Sequence, residues 1–301
     1  MDKIILLDGG SGLIGTKLAE LLRLQHYTVR LLTRTPKGPG AFKWDPSTGE
    51  IDDNALQNVD TVVNLAGAGI ADKRWTHARK REIIESRVLA ARVLVNAFER
   101  TGVKPKAYIA ASAIGIYGNS GEQIMSESSP SADHSFMVDC CRQWEAATDE
   151  VAKKGIRTVT LRIGVVLARE GGALAEIIKP LQLGLGAYFG NGQAWWSWIH
   201  REDVCSMFLW AIQQPTVEGV FNAVAPNPVR GVELVRATAK AMGKSAVFLP
   251  APSLVLRLML GEMSAVILNS NHVTASKSTN AGFQFLYPDL PKALASIFQR
   301  H

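Results

Sequence analysis

The chain has 301 residues, a hydrophobic fraction of 47% and a net charge of +6, the composition of an ordinary soluble protein of enzyme size with room for one large domain or two lobes. Its Lys and Arg residues are dispersed with no long basic run, so no nucleic-acid partner is expected. The three cysteines, Cys140, Cys141 and Cys205, have neither zinc-ligand spacing nor a disulfide-framework pattern, so no metal site is expected and a reducing, cytoplasmic location fits them.

Met1-Asp2-Lys3 leads into Ile4-Ile5-Leu6-Leu7, a run of strand length rather than the apolar core of a signal peptide. Next comes Gly9-Gly10-Ser11-Gly12-Leu13-Ile14-Gly15, opening a segment in which Leu13, Leu18, Leu21 and Leu22 form a helical apolar face. Gly9, Gly12 and Gly15 therefore sit where a strand becomes a helix. One glycine allows the tight turn, one lets the backbone approach a pyrophosphate, and one lets the helix pack against the strand. The helix N-terminus offers N–H groups to the phosphates. Gly9, Gly12, Leu13, Ile14 and Gly15 are thus a candidate dinucleotide-binding turn.

Thr28 to Leu32 reads as a second strand, ending in Thr33-Arg34. A free ribose 2′-hydroxyl usually meets an acid at this point, whereas the planar cation of Arg34 suits a 2′-phosphate, which favours NADP over NAD. Lys37-Gly38-Pro39-Gly40 breaks the chain before a short strand, Phe42 to Asp45, too soon for a full helical crossover. Asp60 to Gly67 is a buried-strand run whose small terminal residues, with Leu65, Ala66 and Gly67, suit close backbone approach to an adenosine. The charged stretch Asp72 to Arg87 leads into the apolar helix Val88 to Phe98. It reads as a solvated helix face, with Glu82 and Arg87 equally open to turning inward toward a phosphate or ribose.

Ala107 to Ser112 is a fourth parallel strand, which places Ser112 and Tyr117 beyond a carboxyl end, near a nicotinamide. A helix over Cys141 to Lys154 and a strand over Arg157 to Arg162 follow. Beyond them lie loops and short elements, with Trp195 and Trp196 read as packing residues and His200 as a hydrogen-bonded structural histidine. A helix over Asp203 to Gln213, a strand over Gly219 to Ala225 and a helix over Val232 to Met242 complete this part. Leu254 to Leu268 is the most apolar stretch, but it is short for a membrane span and carries Arg257, Gly261 and Glu262. It reads as a core or subunit-contact helix, with no stable membrane insertion.

Taken together, Gly9 to Gly15, Asn64-Leu65-Ala66-Gly67, Ile70 to Thr76, Glu82 through Arg87, Arg162 to Leu167, Trp198-Ile199-His200 with Asp203, and Ala281 to Leu290 resemble the extended short-chain dehydrogenase/reductase superfamily. The nearer likeness is to its atypical branch of epimerase family proteins. This resemblance implies an α/β fold with a Rossmann-type doubly wound parallel sheet and a smaller C-terminal α/β substrate lobe. It implies an NADP-binding domain over residues 1–167, with some of residues 200–230 returning to it, and a substrate lobe mainly over residues 168–301. It further implies NADP(H) held by the glycine turn, Thr33, Arg34, Leu65, Ala66, Glu82, Arg87 and Val166, a small-molecule substrate such as a sugar nucleotide, and a homodimer through the helices near 79–100 and 141–154. Asp8 departs from the family pattern, since an acid there must be paired or turned away to avoid repelling a pyrophosphate; Ala68-Gly69 departs as well.

The superfamily's usual proton machinery is a Tyr with a Lys four residues later, on one helix face, where the ammonium lowers the phenol's pKa. The five tyrosines, Tyr27, Tyr108, Tyr117, Tyr188 and Tyr287, are followed four positions on by Leu31, Ser112, Gly121, Gly192 and Pro291, so the pair is absent. Aligned on Glu145, its places fall on Met137 and Cys141. Three functions remain, of which two rest on the cofactor site: an NADP(H)-dependent oxidoreductase or epimerase using Tyr117 or Ser112 as substitute proton donor, or a non-catalytic NADP(H)-binding sensor or assembly factor. A membrane- or nucleic-acid-associated role rests only on basic charge and the Leu254 to Leu268 stretch.

Overall fold

The computed structural model describes residues 3–298. The chain divides into two compact units, the first comprising Met1–Ala113, Asp139–Leu161 and Cys205–Phe221, and the second Ile114–Val138, Arg162–Val204 and the chain from Asn222 onward.

The first unit is built on a sheet whose apolar strands β1 (Ile4–Leu7), β2 (Thr28–Thr33), β5 (Val59–Asn64) and β6 (Ala107–Ala113) are joined by β3 (Ala41–Asp45) and β4 (Glu50–Ile51). The strand order is Gly219–Ala223, Arg157–Ile163, β6, β5, β1, β2, β3, β4. β1 runs parallel to β2 and β5, β2 to β3, and β5 to β6, while β4 returns antiparallel. Strands covered on both faces read as continuous apolar runs, which is why Ile5, Leu6 and Leu7 are all buried. Helix α1 (Leu13–Leu24) buries Gly15, Leu18, Ala19 and Leu22, one helical stripe. Helix α2 (His77–Thr101) starts on Thr76, whose hydroxyl accepts from the Arg79 N–H at 3.2 Å, and ends on the left-handed Gly102. Leu94 and Phe98 of α2 join Leu6, Trp44, Leu56, Val62 and Tyr108 in the core.

The short link between β2 and β3 has a geometric cause. Only Leu31, Leu32 and Thr33 pair with Ala41, Phe42 and Lys43, so β3 is displaced toward the carboxyl edge of the sheet. The chain needs to return only about two residues' rise before pairing again, and no crossover helix is required.

The second unit has its own core of Leu174, Ile178, Trp198, Leu234 and Leu294. His200 is buried, with Nδ1 accepting from the Glu202 N–H at 3.1 Å, Nε2 3.2 Å from Ser296 Oγ, and burial pulling its pKa down to about 4. It is a structural histidine, and Trp196 is likewise buried. The Leu254 to Leu268 stretch departs from the core alternative of the expected core or subunit-contact helix. Gly261, at φ 61° and ψ −137°, ends a helix at Ser253–Leu260, and a second short helix covers Ala265–Leu268. Ser253–Leu260 buries none of its residues, and Leu254, Leu258 and Met259 are exposed. Among the described residues no helix is long and apolar enough to cross a membrane.

Two leucine substitutions separate core from surface. Leu94→Ala, at a fully buried position, is expected to cost about 2–5 kcal/mol in urea denaturation. Leu258→Asn, on the exposed helix, is expected to change stability by no more than about 0.5 kcal/mol.

Candidate functional site

The glycine turn is a cradle defined by what it cannot hold. Gly9 has φ +62°, and a Cβ there would lie 2.8 Å from the Leu65 carbonyl carbon; a Cβ on Gly15 would lie 2.2 Å from the Gly9 oxygen. β1 and the end of β5 therefore approach each other closely, and α1 packs directly onto the turn. Gly12 is the N-cap of α1 and supplies no side-chain cap, and the first turn contains no acid. The leading N–H groups of α1, with Leu13 and Ile14 in the first turn, suit an anion such as a pyrophosphate.

Asp8 explains how an acid is tolerated beside that cradle. Its Oδ1 accepts from the N–H groups of Leu65 and Ala66, both at 2.6 Å, and its Oδ2 accepts from Asn64 Nδ2 at 2.6 Å. The carboxyl is fully buried and engaged by the end of β5. Burial raises its pKa to about 7, against the opposing pull of the three N–H groups. Tyr108, whose buried hydroxyl has no hydrogen-bond partner, feels the same charge, and burial pushes its pKa well up. Asn64 Oδ1 is also buried without a partner.

The two polar residues left open on α2 behave differently. Arg87 is buried, donates to the carbonyls of Ala68 at 3.1 Å and Ile83 at 2.8 Å, and lies over the Trp144 ring at 4.8 Å. Gly67 makes room for it, because a Cβ there would meet Arg87 Cζ at 2.9 Å. Glu82 is exposed and pairs with Arg79 at 2.7 Å. Arg79 also donates to the Gly69 carbonyl, so the departing Ala68-Gly69 loop is held from α2. At the end of β2, Thr33 Oγ1 accepts from the Thr35 N–H at 3.3 Å, and the exposed Arg34 has its carbonyl bound by Lys43 Nζ at 2.9 Å.

Ser112, at the end of β6, donates to Glu145 Oε1 at 2.7 Å. Glu145 lies on helix α3 (Phe136–Ala152), the helix that carries Met137 and Cys141. The first unit thus holds a hydroxyl–carboxyl pair. Tyr117 belongs to the second unit, where its hydroxyl donates to Asn222 Oδ1 at 2.6 Å and accepts from Arg162 at 2.9 Å. The phenol is buried, which raises its pKa. Val166, also in the second unit, sits in the strand Val165–Leu167 and pairs with Ile199.

Glu145 and Lys43 had no functional reading in the sequence. The signal for Glu145 was its place relative to the absent Tyr and Lys; for Lys43 it was a cation interrupting the apolar run from Ala41 to Trp44.

Asp8 generates a pH signature. Its folded pKa, raised to about 7 from 3.8, means that the folded chain keeps a proton which the unfolded chain has lost between those values. The stabilisation is complete below about pH 4 and is lost as pH rises through 7. Urea denaturation from pH 4.5 to 8 should show wild type losing about 3 kcal/mol relative to Asp8→Asn. Parallel profiles would contradict this.

A family model described as the NAD dependent epimerase/dehydratase family matches residues 5–223, and a domain of unknown function, DUF1731, matches residues 251–297. Epimerase family protein SDR39U1 of Mus musculus is 33% identical, covering 97% of this chain and 99% of its own. Epimerase family protein YfhF of Bacillus subtilis is 35% identical, with 97% of each chain covered. The crystal structure of human SDR39U1 with NADPH superposes with a TM-score of 0.87 at 31% identity, over 98% of this chain and 99% of that one. The match along residues 5–223 and the near full-length relatives show that the chain belongs to the NAD dependent epimerase/dehydratase family, in the branch of epimerase family proteins.

Proposed function

We propose that the chain binds NADP(H) on its first unit and is an oxidoreductase or nucleotide-sugar epimerase acting without a Tyr and Lys pair. The observation that carries the cofactor reading is the cradle in which Gly9 meets Leu65, Gly15 meets Gly9, and α1 begins on an uncapped glycine. The NADPH in the human SDR39U1 structure supports it. In this reading Gly9 to Gly15 hold the pyrophosphate, Leu65, Ala66 and Gly67 border the adenosine, and Thr33 and Arg34 present the turn that meets the 2′-phosphate. Arg87 shapes the loop after β5 from behind, and Glu82 keeps Arg79 in place. Val166 remains a cofactor-contact candidate.

NADP(H) supplies or accepts a hydride when bound. The chain's own contribution is proton handling: Ser112 Oγ faces Glu145 Oε1 at 2.7 Å, so the carboxylate takes up the hydroxyl's proton as Oγ receives one from a substrate alcohol, and the reverse when it gives one to a carbonyl oxygen. Ser112 is the stronger proton-donor candidate of the two residues, because the Tyr117 hydroxyl is occupied by Asn222 and Arg162. A small-molecule substrate of the sugar-nucleotide kind, a cytoplasmic location and pairing of two copies through α2 and α3 belong to the same reading.

The occupied Tyr117 hydroxyl also favours a second reading, a sensor or assembly factor that binds NADP(H) without turnover.

Thermal shift with NADPH and NADH tests the cofactor. A hundredfold excess over Kd is expected to raise the melting temperature by about 5–10 °C for NADPH, with little shift for NADH and most of the NADPH effect lost in Arg34→Ala. No shift with either nucleotide would sink the reading. A panel of sugar nucleotides and carbonyl compounds, followed by NADPH absorbance, then separates the two functions. Turnover that Glu145→Gln abolishes while the NADPH shift persists supports the enzyme, and silence across the panel supports the sensor.

A further inference from the structure

Recognition of a 2′-phosphate by Arg34 alone meets an electrostatic difficulty. Asp45, two residues beyond Lys43 on β3, has its carboxyl held below the usual range chiefly by its bonds to Ser47, with smaller contributions from the charges of Arg34 and Lys43. The acid is therefore ionised at neutral pH. Its Oδ1 is bound by the N–H of Ser47 at 3.0 Å and the hydroxyl of Ser47 at 2.6 Å, so it serves its own turn. Arg34 and Asp45 without another cation make a neutral group. With Lys43 the group is positive.

Lys43 is placed for this by the shortened overlap of β3 with β2. It pairs with Thr33, the last residue of β2, and so stands level with the point where Arg34 leaves the sheet. Alternation along the strand sends the neighbouring Trp44 into the core and leaves Lys43 on the opposite face. Its ammonium donates to the Arg34 carbonyl at 2.9 Å. That bond covers a backbone oxygen that would otherwise repel a phosphate, and it uses one of three N–H donors.

We propose that Lys43 is a specificity residue for the 2′-phosphate of NADP(H), acting beside Arg34 as the second cation and as the cover of the Arg34 carbonyl. This rests on the NADP(H) reading above. The 2′-phosphate is the one group that distinguishes NADPH from NADH, so the effect of Lys43 falls on phosphorylated ligands only.

The test is calorimetric titration of wild type, Lys43→Met, Lys43→Arg, and Lys43→Met combined with Asp45→Asn. The ligands are NADPH, NADH, adenosine 2′,5′-bisphosphate and 5′-AMP. Lys43→Met is expected to weaken NADPH and the bisphosphate about tenfold, to leave NADH and 5′-AMP within about twofold, and to flatten the salt dependence of NADPH binding. Lys43→Arg should restore most of the loss. Adding Asp45→Asn to Lys43→Met should restore part of it by returning the group to positive charge. Unchanged NADPH affinity in Lys43→Met overturns the inference and leaves the cofactor reading standing. Equal weakening of NADPH and NADH also overturns it, since Lys43 then only shapes the turn. If wild type binds neither NADPH nor the bisphosphate, the cofactor reading itself has failed.

Discussion

The close approach of β1 and β5 at their carboxyl ends is the constraint on which the candidate site depends. Gly9 lies against the Leu65 backbone, and Asp8 ties the first two N–H groups beyond β5 to the end of β1. Each bond is short and ends on a fully buried carboxyl, which would be costly to leave unpaired. One interaction thereby fixes the glycine turn and the loop that follows β5 relative to each other. It also carries a cost, because a buried carboxylate is desolvated, and its proton affinity rises as a result.

Much of this architecture was legible in local pattern. The apolar run before the glycines, the leucine stripe after them and the small residues closing β5 mark strand, turn and helix by their immediate neighbours. The glycine spacing likewise marked a backbone approach that the Gly9 and Gly15 geometry displays. The absence of a Tyr and Lys pair was readable by inspection, since it is a question of spacing.

What escaped were the partners of polar side chains, which depend on chain segments far apart. Asp8 meets residues 56 to 58 positions away, and Ser112 meets Glu145 across 33. The Tyr117 hydroxyl is taken by Asn222 at a separation of 105. No local periodicity encodes such pairings. The Leu254 to Leu268 stretch shows a different limit: hydropathy identified an apolar segment, but Gly261 divides it and its first helix remains uncovered.

The three-residue overlap of β2 and β3 makes one aromatic side chain the keeper of what stands beside Arg34. Trp44 is buried in the core, and its burial sets which β3 side chain stands level with Thr33. Side chains alternate faces along a strand, so a slip of one residue would bring Phe42 or Trp44 to that level and turn the lysine toward the core. Insertions and deletions in the exposed residues 34–40 are absorbed by the loop while Trp44 keeps its place. Across descendants of this chain, a large apolar residue at position 44 should therefore be held more tightly than the length of the loop before it.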